Sequence, residues 1–143
     1  MKKLEINSDK RYQVLIDVNW KDFLPEIERN HSKVLYIIPE KLKGLVSIGG
    51  LKNIFITPDA EAQKNLSIAE KIWEKCGEIG LSRDGAIVGI GGGATTDLAG
   101  FVAATWLRGV DWYAFPTSLA GAIDASIGGK TGINSSHGKN LIG

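Results

Sequence analysis

The chain has 143 residues, of which 43% are hydrophobic and 23% charged, with a formal net charge of +1. This is the composition of an ordinary globular domain that can bury a core. A net charge this small argues against an electrostatic nucleic-acid binder, because such proteins carry a strongly basic face. We therefore expect one folded domain over residues 1–143 and no nucleic-acid partner.

Neither secretion nor membrane insertion is indicated by the sequence. The two lysines of the segment MKKLEINSDK are not followed by the apolar stretch of a signal peptide. No apolar run reaches the roughly 18 residues that a membrane span requires. Cys76 is the one cysteine, which excludes an intrachain disulfide and is compatible with a reducing compartment. We expect a cytoplasmic protein with no membrane partner.

In chain order, apolar patterns predict strands that alternate with helices. Strands are predicted at 4–6 and 12–16 as a hairpin, and then at 33–38, 53–57, 86–90 and 111–115. Helices are predicted at 20–28, 40–46, 65–79, 96–107 and 117–127, and a loop at 128–143. Three of the strands are almost wholly apolar, which predicts a parallel α/β sheet covered by helices on both faces.

The stretch GGGATTDLAG, residues 91–100, lies between a predicted strand and a predicted helix. In α/β proteins such a turn lets a phosphate approach bare backbone at a helix N-terminus, and residues 89–94 fit the dinucleotide pattern G-x-G-x-x-[G/A]. Close packing of the helix on the sheet would explain the same glycines. Asp97 is predicted in the first helical turn, where it either stabilises the N-terminus or accepts hydrogen bonds from a cofactor.

Three segments follow predicted strand ends, at 58–64, 91–97 and 116–118. Open α/β sheets bind ligands at the carboxyl ends of their strands, so these segments are predicted to meet in one crevice. The hydroxyl groups in the segment PTS, residues 116–118, would either cap the next helix or contact a cofactor.

The stretch GGKTGIN, residues 128–134, fails the P-loop pattern because Asp124 stands where that pattern requires glycine. Lys130 and Lys139, with Asn140, suit an anionic substrate but are equally explained by a solvated basic loop. Arg108 is either an anion contact or a favourable cation at a helix C-terminus.

No cluster of histidine, cysteine and glutamate has metal-ligand spacing, and His31 and His137 stand apart in the sequence. We therefore predict no metal ligands in this chain. Cys76 lies on the apolar face of its predicted helix, which favours a core position over a nucleophile.

From residue 58 onward the chain resembles 3-dehydroquinate synthase, a member of the sugar-phosphate cyclase superfamily. The resemblance is carried by PDAEAQK, GGGATTDLAGFVAATWLRG, FPTSL and DASIGGKTGIN…GKNLIG, in that order and spacing. It implies a Rossmann-like, mostly parallel sheet with flanking helices, the family's NAD-binding N-terminal domain. The family's helical C-terminal domain is expected to be absent from this chain.

The resemblance also implies site residues. Positions that match the family's cofactor contacts are Asp59, Glu61, Lys64, Gly92, Gly93, Ala94, Thr95, Thr96, Asp97, Thr117 and Ser118. Lys130 and Lys139 match lysines that line the boundary between cofactor and substrate, so they belong to both groups. The substrate-contacting and catalytic positions are Arg108, Asp124, Lys130, Lys139 and Asn140.

The implied reaction converts the sugar phosphate 3-deoxy-arabino-heptulosonate 7-phosphate to 3-dehydroquinate and phosphate, in the shikimate pathway, with NAD as cofactor. A divalent metal, zinc or cobalt, is expected only with the C-terminal domain, which carries the family's glutamate and two histidine ligands. The chain alone is expected to be inactive, and because family members are often dimers a homodimer is an expectation. The alternatives are an inactive nucleotide-binding or interaction domain, or part of another cyclase such as 2-deoxy-scyllo-inosose synthase.

Overall fold

The computed structural model describes residues 1–45 and 50–143. Its strands are β1 (Lys2–Asn7), β2 (Arg11–Ile16), β3 (Val34–Pro39), β4 (Ile54–Thr57), β5 (Ala86–Gly91), β6 (Asp111–Pro116), β7 (Ile133–Ser135) and β8 (Gly138–Ile142). Its helices are α1 (Leu24–Asn30), α2 (Leu66–Glu78) and α3 (Gly93–Thr105), with a π-helical turn over Gly121–Ala125. Short 3-10 turns lie at Trp20–Phe23, Glu40–Leu42, Ala60–Gln63 and Trp106–Arg108.

A parallel sheet in the order β4-β3-β5-β6 forms the centre of the described residues. Its central strands, β3 and β5, are buried along their whole length, because their sequences VLYIIP and AIVGIG contain no charged side chain. Successive residues of β3 point into two different cores. Leu35 and Ile37 pack with Ala69 of α2, whereas Tyr36 packs on the other face with Ile27 of α1. The predicted α/β architecture is confirmed.

Most predicted elements are observed within a few residues. Strands β1 and β2 form the predicted antiparallel hairpin. Helix α2 begins after Asn65, whose side chain accepts a hydrogen bond from the N–H of Ile68, and it ends before Gly80, which has a positive φ of 64°. Cys76 is fully buried, as its helical position predicts. Of the helix predicted over 40–46, the structure shows one turn, Glu40–Leu42, and Val46 lies outside the described residues.

Three boundaries were predicted wrongly. Helix α3 begins at Gly93 rather than at residue 96. Gly92 precedes the helix and Gly93 is its first residue, and neither has a positive φ. Only part of 117–127 is helical, around the turn Gly121–Ala125. Residues 128–143 are not all loop, since β7 and β8 form a hairpin in which Ile133, fully buried in the core, pairs with Ile142. A three-residue strand is too short for its alternation to be read from sequence.

No helix in the described part of the chain is both long and apolar enough to span a membrane.

Candidate functional site

The segments that follow β4, β5 and β6 meet at the carboxyl edge of the sheet. The backbone N–H of Thr117 donates to the carbonyl of Gly91 at 2.8 Å, which joins the ends of β5 and β6. Lys64 Nζ lies 2.8 Å from Asp97 Oδ2, which joins the segment after β4 to helix α3. The hairpin β7–β8 reaches the same edge, because the N–H of Asn134 donates to the carbonyl of Lys64 at 2.9 Å.

The glycines around β5 serve two different purposes. A Cβ on Gly89 would lie 2.7 Å from Ala99 Cβ, and one on Gly91 would collide with the side chain of Thr95. These two glycines let α3 pack closely on the sheet. A Cβ on Gly92 would be 3.6 Å from Ser118 Oγ, and one on Gly93 would be 3.4 Å from the nearest side chain. Among the described residues, packing therefore does not require glycine at 92 and 93, so bare backbone at these two positions is compatible with a ligand.

The N-terminus of α3 has the properties of an anion site. Gly92 precedes the helix, and among the described residues no side chain caps this end. The N–H groups of Thr95 and Thr96 donate to the carbonyl of Gly92 at 3.1 Å, whereas those of Gly93 and Ala94 have no hydrogen-bond partner among the described residues. Gly92, Gly93 and Ala94 are partly exposed. An uncapped helix start of this kind favours a phosphate ligand.

Lys64 and Asp97 form an ion pair beneath this helix start. The Lys64 side chain is 3% exposed and that of Asp97 17%, and Lys64 Nζ also donates to Asn140 Oδ1. Asp97 was predicted in the first turn of its helix. It lies in the second turn instead, since α3 begins at Gly93, and there it serves as the counter-ion of a buried ammonium group.

The carboxylates around Lys64 set the electrostatics of this edge. Burial raises the pKa of Asp97 above its ordinary value, while the hydrogen bond and charge of Lys64 act in the opposite direction. The negative charges of Asp124 and Glu61 raise the pKa of Asp97 further. Burial and the neighbouring carboxylates therefore disfavour the charged form of Asp97, and Lys64 favours it.

Hydrogen bonds within the segment after β4 hold its shape. Thr57 Oγ1 donates to Gln63 Oε1 at 2.9 Å, and both residues are 1% exposed. The backbone of Ala60 has a positive φ of 50°, which is uncommon for a residue other than glycine. The turn is thus fixed by a buried polar contact, and it presents Glu61 and Lys64 toward α3 and the hairpin.

Asn134 is a functional candidate that the sequence reasoning did not single out. Its Nδ2 donates to Glu61 Oε2 at 2.8 Å and its Oδ1 accepts from the N–H of Asn140 at 2.9 Å. The motif GGKTGIN contains this residue, but its position opposite Glu61 follows from the hairpin, which was predicted as loop.

Other predicted site residues have local roles in this structure. Asp59 Oδ1 accepts from the N–H of Lys41 at 2.9 Å, which connects the segment after β4 to the turn after β3. Ser118 Oγ accepts from the N–H of Gly121 at 3.1 Å and so caps the turn that follows it. The side chains of Thr95 and Thr96 are buried, and Thr96 Oγ1 donates to the carbonyl of Gly93 at 3.0 Å. Both residues are buried as a whole and their N–H groups already donate to the Gly92 carbonyl, so their cofactor contacts stay a prediction from the resemblance.

The predicted substrate residues are not all brought together. Asp124 in the helical turn, Lys139 in β8 and Lys130 between these elements are all exposed. Arg108 follows the far end of α3, a helix of 13 residues, which places it about 20 Å along the helix axis from Gly93. Its role in binding substrate stays a prediction from the resemblance.

The described residues do not fit a metal ion. Within 1–45 and 50–143 no group of three His, Cys, Asp or Glu side chains is placed to hold one. His31 contacts the carbonyl of Ile27 through Nδ1 at 2.9 Å and Asp111 Oδ2 through Nε2 at 3.0 Å, at the opposite edge of the sheet. The geometry gives this histidine a structural role, since it ties the end of α1 to the start of β6.

Comparison with known proteins agrees with the geometry. The family model described as 3-dehydroquinate synthase N-terminal matches residues 54–143. The 3-dehydroquinate synthase of Streptomyces avermitilis is 50% identical over 114 residues, which are 79% of this chain and 31% of that protein. The enzyme of Mycobacterium leprae is 45% identical over 148 residues, 98% of this chain and 41% of its own length. The chain thus spans well under half the length of these relatives.

Solved structures of sugar-phosphate cyclases share the fold. A 2-deoxy-scyllo-inosose synthase complexed with carbaglucose-6-phosphate, NAD+ and Co2+ matches 99% of this chain and 42% of its own with a TM-score of 0.85 and 25% identity. The 2-epi-5-epi-valiolone synthase of Streptomyces hygroscopicus, with NAD+ and Zn2+ bound, matches 84% of this chain and 36% of its own with a TM-score of 0.71 and 26% identity. The order of the parallel sheet and the glycines at the start of α3 agree with the family model over 54–143. The chain therefore belongs to the 3-dehydroquinate synthase family and contains the N-terminal part of that family's fold.

Proposed function

We propose that residues 1–143 bind NAD at the N-terminus of α3 and form the NAD-binding domain of a 3-dehydroquinate synthase. The whole enzyme would convert 3-deoxy-arabino-heptulosonate 7-phosphate to 3-dehydroquinate and phosphate. The observation that carries the proposal is the uncapped start of α3, where Gly92 and Gly93 lack side chains although packing would accept them. This fits the pyrophosphate of a dinucleotide, whose negative charge suits a helix N-terminus.

The chain's own residues would bind and orient the ligands. The N–H groups at the start of α3 would donate to the pyrophosphate, and Lys64 would keep Asp97 in place beneath the cofactor. The exposed ammonium groups of Lys130 and Lys139 would bind substrate anions. When bound, NAD supplies the transient oxidation of a substrate alcohol that the reaction requires.

The remaining roles rest on the resemblance. Asp124 and Asn140 would orient ring hydroxyl groups, and Arg108 would contact substrate. Because the described residues hold no metal site, the ligands of the zinc or cobalt ion would come from the helical part of the family fold. A homodimer in the cytoplasm is likewise proposed from the resemblance alone.

A chimeric enzyme tests this function. Residues 1–143 would replace the matched N-terminal segment of the Mycobacterium leprae enzyme, and phosphate release from the heptulosonate substrate would be measured with NAD and Zn2+. We expect NAD-dependent turnover by the chimera and none by residues 1–143 alone. The same chimera with Lys130→Ala should lose more than about tenfold in kcat/KM, or about 1.4 kcal/mol of transition-state stabilisation.

These measurements distinguish an enzyme from an inactive nucleotide-binding or interaction domain. A folded chimera that binds NAD but releases no phosphate would support an inactive nucleotide-binding domain. A chain that gains no thermal stability with millimolar NAD would support an interaction domain instead. Turnover by residues 1–143 alone would contradict our assignment of the metal ligands to another part of the fold.

A further inference from the structure

The side chain of Asn134 connects two segments of the proposed site. Its amide nitrogen donates to Glu61 Oε2 at 2.8 Å, and its amide oxygen accepts from the N–H of Asn140 at 2.9 Å. Its own backbone N–H donates to the carbonyl of Lys64 at 2.9 Å. The amide nitrogen and the amide oxygen of one side chain therefore connect the turn after β4 to strand β8 of the hairpin.

Asn140, which Asn134 holds, has an unusual backbone. Its φ is +56°, in the left-handed region that residues other than glycine enter rarely and asparagine more often than most. From this conformation its side-chain oxygen accepts a hydrogen bond from Lys64 Nζ. The contacts form a closed loop, from Asn134 to Asn140, from Asn140 to Lys64, and from the Lys64 carbonyl back to Asn134.

We propose that Asn134 is a positioning residue of the site. It fixes Asn140 in the left-handed conformation and fixes the Glu61 carboxylate, so that Lys64, Asn140 and Glu61 keep one arrangement toward the dinucleotide and the sugar phosphate. The inference rests on the proposed function and assigns to it a residue that touches neither ligand. Its chemistry depends on an amide, because the residue must donate on one side and accept on the other.

This requirement makes the substitutions specific. Asn134→Ala removes both hydrogen bonds. Asn134→Asp keeps an acceptor for the N–H of Asn140 but sets a carboxylate against that of Glu61, with no donor between them. Adding Glu61→Gln to the same chain restores a donor, because the new amide at position 61 can donate to the new carboxylate at position 134. Recovery of NAD affinity when Glu61→Gln is added to Asn134→Asp would show that these two side chains act on binding through their mutual contact.

The test follows two quantities in the 143-residue chain. Amide hydrogen exchange of Asn140 is measured by NMR relative to that of Ile87 in the buried strand β5, which corrects for loss of global stability. The dissociation constant for NAD is measured by calorimetry. Ser136→Ala, at an exposed position in the turn of the same hairpin, is the matched control and should change neither quantity.

We expect Asn134→Ala to speed Asn140 exchange and to weaken NAD binding, each by about tenfold. Asn134→Asp should weaken NAD binding similarly, whereas Asn134→Asp with Glu61→Gln should bind NAD within about threefold of Glu61→Gln alone.

Three results would overturn the proposal. Unchanged Asn140 exchange in Asn134→Ala would show that the contact does not hold Asn140. Faster exchange with unchanged NAD affinity would show a structural role without positioning of the site. A double variant that binds NAD as weakly as Asn134→Asp would show that Asn134 does not act through Glu61. If the wild-type chain binds no NAD, the proposed function fails, while the exchange measurements still decide whether Asn134 holds Asn140.

Discussion

Alanine at Gly92 or Gly93 is expected to leave the fold intact and to weaken NAD binding by at least about tenfold, or about 1.4 kcal/mol. A Cβ at these positions meets its nearest neighbours at 3.6 and 3.4 Å, which is ordinary van der Waals contact. The added methyl group would lie between the start of α3 and the segment that carries Ser118 and Ala125, and we expect it to narrow the crevice through which a pyrophosphate would approach. Alanine at either position should therefore weaken NAD binding while leaving the free energy of unfolding nearly unchanged.

Alanine at Gly89 or Gly91 is expected to give the opposite result. The added Cβ would lie 2.7 Å from Ala99 Cβ at position 89 and would collide with Thr95 at position 91. Both contacts lie between β5 and α3, where neither element can move without disturbing the core, so the fold should lose about 1–3 kcal/mol. These variants act on stability first and on ligand binding only as a consequence.

Urea unfolding and NAD calorimetry on the four alanine variants measure the two effects separately. Gly44→Ala is the control, because no atom of residues 1–45 and 50–143 lies within 4 Å of the Cβ it would add. That control should change stability by no more than about 0.5 kcal/mol and leave NAD affinity unchanged. Wild-type NAD affinity in Gly93→Ala would show that the bare backbone at this helix start is not kept for a ligand.

The second large effect concerns the ion pair of Lys64 and Asp97. Asp97→Ala leaves an ammonium group that is 3% exposed without its carboxylate, and we expect a loss of about 3 kcal/mol in the free energy of unfolding. Lys64→Met should cost less, since Asp97 is 17% exposed and can take up a proton. Lys64→Met with Asp97→Leu should restore stability to within about 1 kcal/mol of wild type, because apolar side chains can replace a buried pair.

The pH dependence of Lys64→Met provides an independent check. Burial raises the pKa of Asp97 in the folded chain, so protonation of this group favours folding. Its stabilising contribution is present below the ordinary carboxyl pKa and is lost as the pH rises through the folded pKa. Lys64 lowers that pKa, so its removal raises it further. Lys64→Met should therefore gain stability relative to wild type as the pH falls from neutral to mildly acidic.

Urea unfolding at both pH values tests this expectation, with the Lys64→Met/Asp97→Leu variant as the control that lacks the titrating group. An equal pH response in Lys64→Met and in the double variant would show that Asp97 does not couple to folding in this way.

The central sheet could be predicted from sequence because its signals are local. The runs that became β3 and β5 are apolar throughout, and Asn65 and Gly80 mark the two ends of α2. Each of these features depends on residues next to one another in the chain. Hydrophobic burial and backbone preference therefore determined them with little influence from distant contacts.

The site was predictable in its location but not in its details. The glycine motif pointed to the edge after β5, yet sequence could not separate Gly89 and Gly91, which pack against α3, from Gly92 and Gly93, which do not. That distinction depends on the distance between a helix and a sheet. Likewise, the contact of Asn134 with Glu61 spans 73 residues and exists only because β7 and β8 pair.

NAD binding at the start of α3 is tested most directly by titrating the 15N-labelled chain with NAD and recording its amide signals by NMR. We expect the amide signals of Gly92, Gly93 and Ala94 to shift with a single saturating affinity, while that of Gln13 in the β1–β2 hairpin stays in place. Saturable shifts confined to other segments, or no shift at millimolar NAD, would contradict NAD binding at the start of α3.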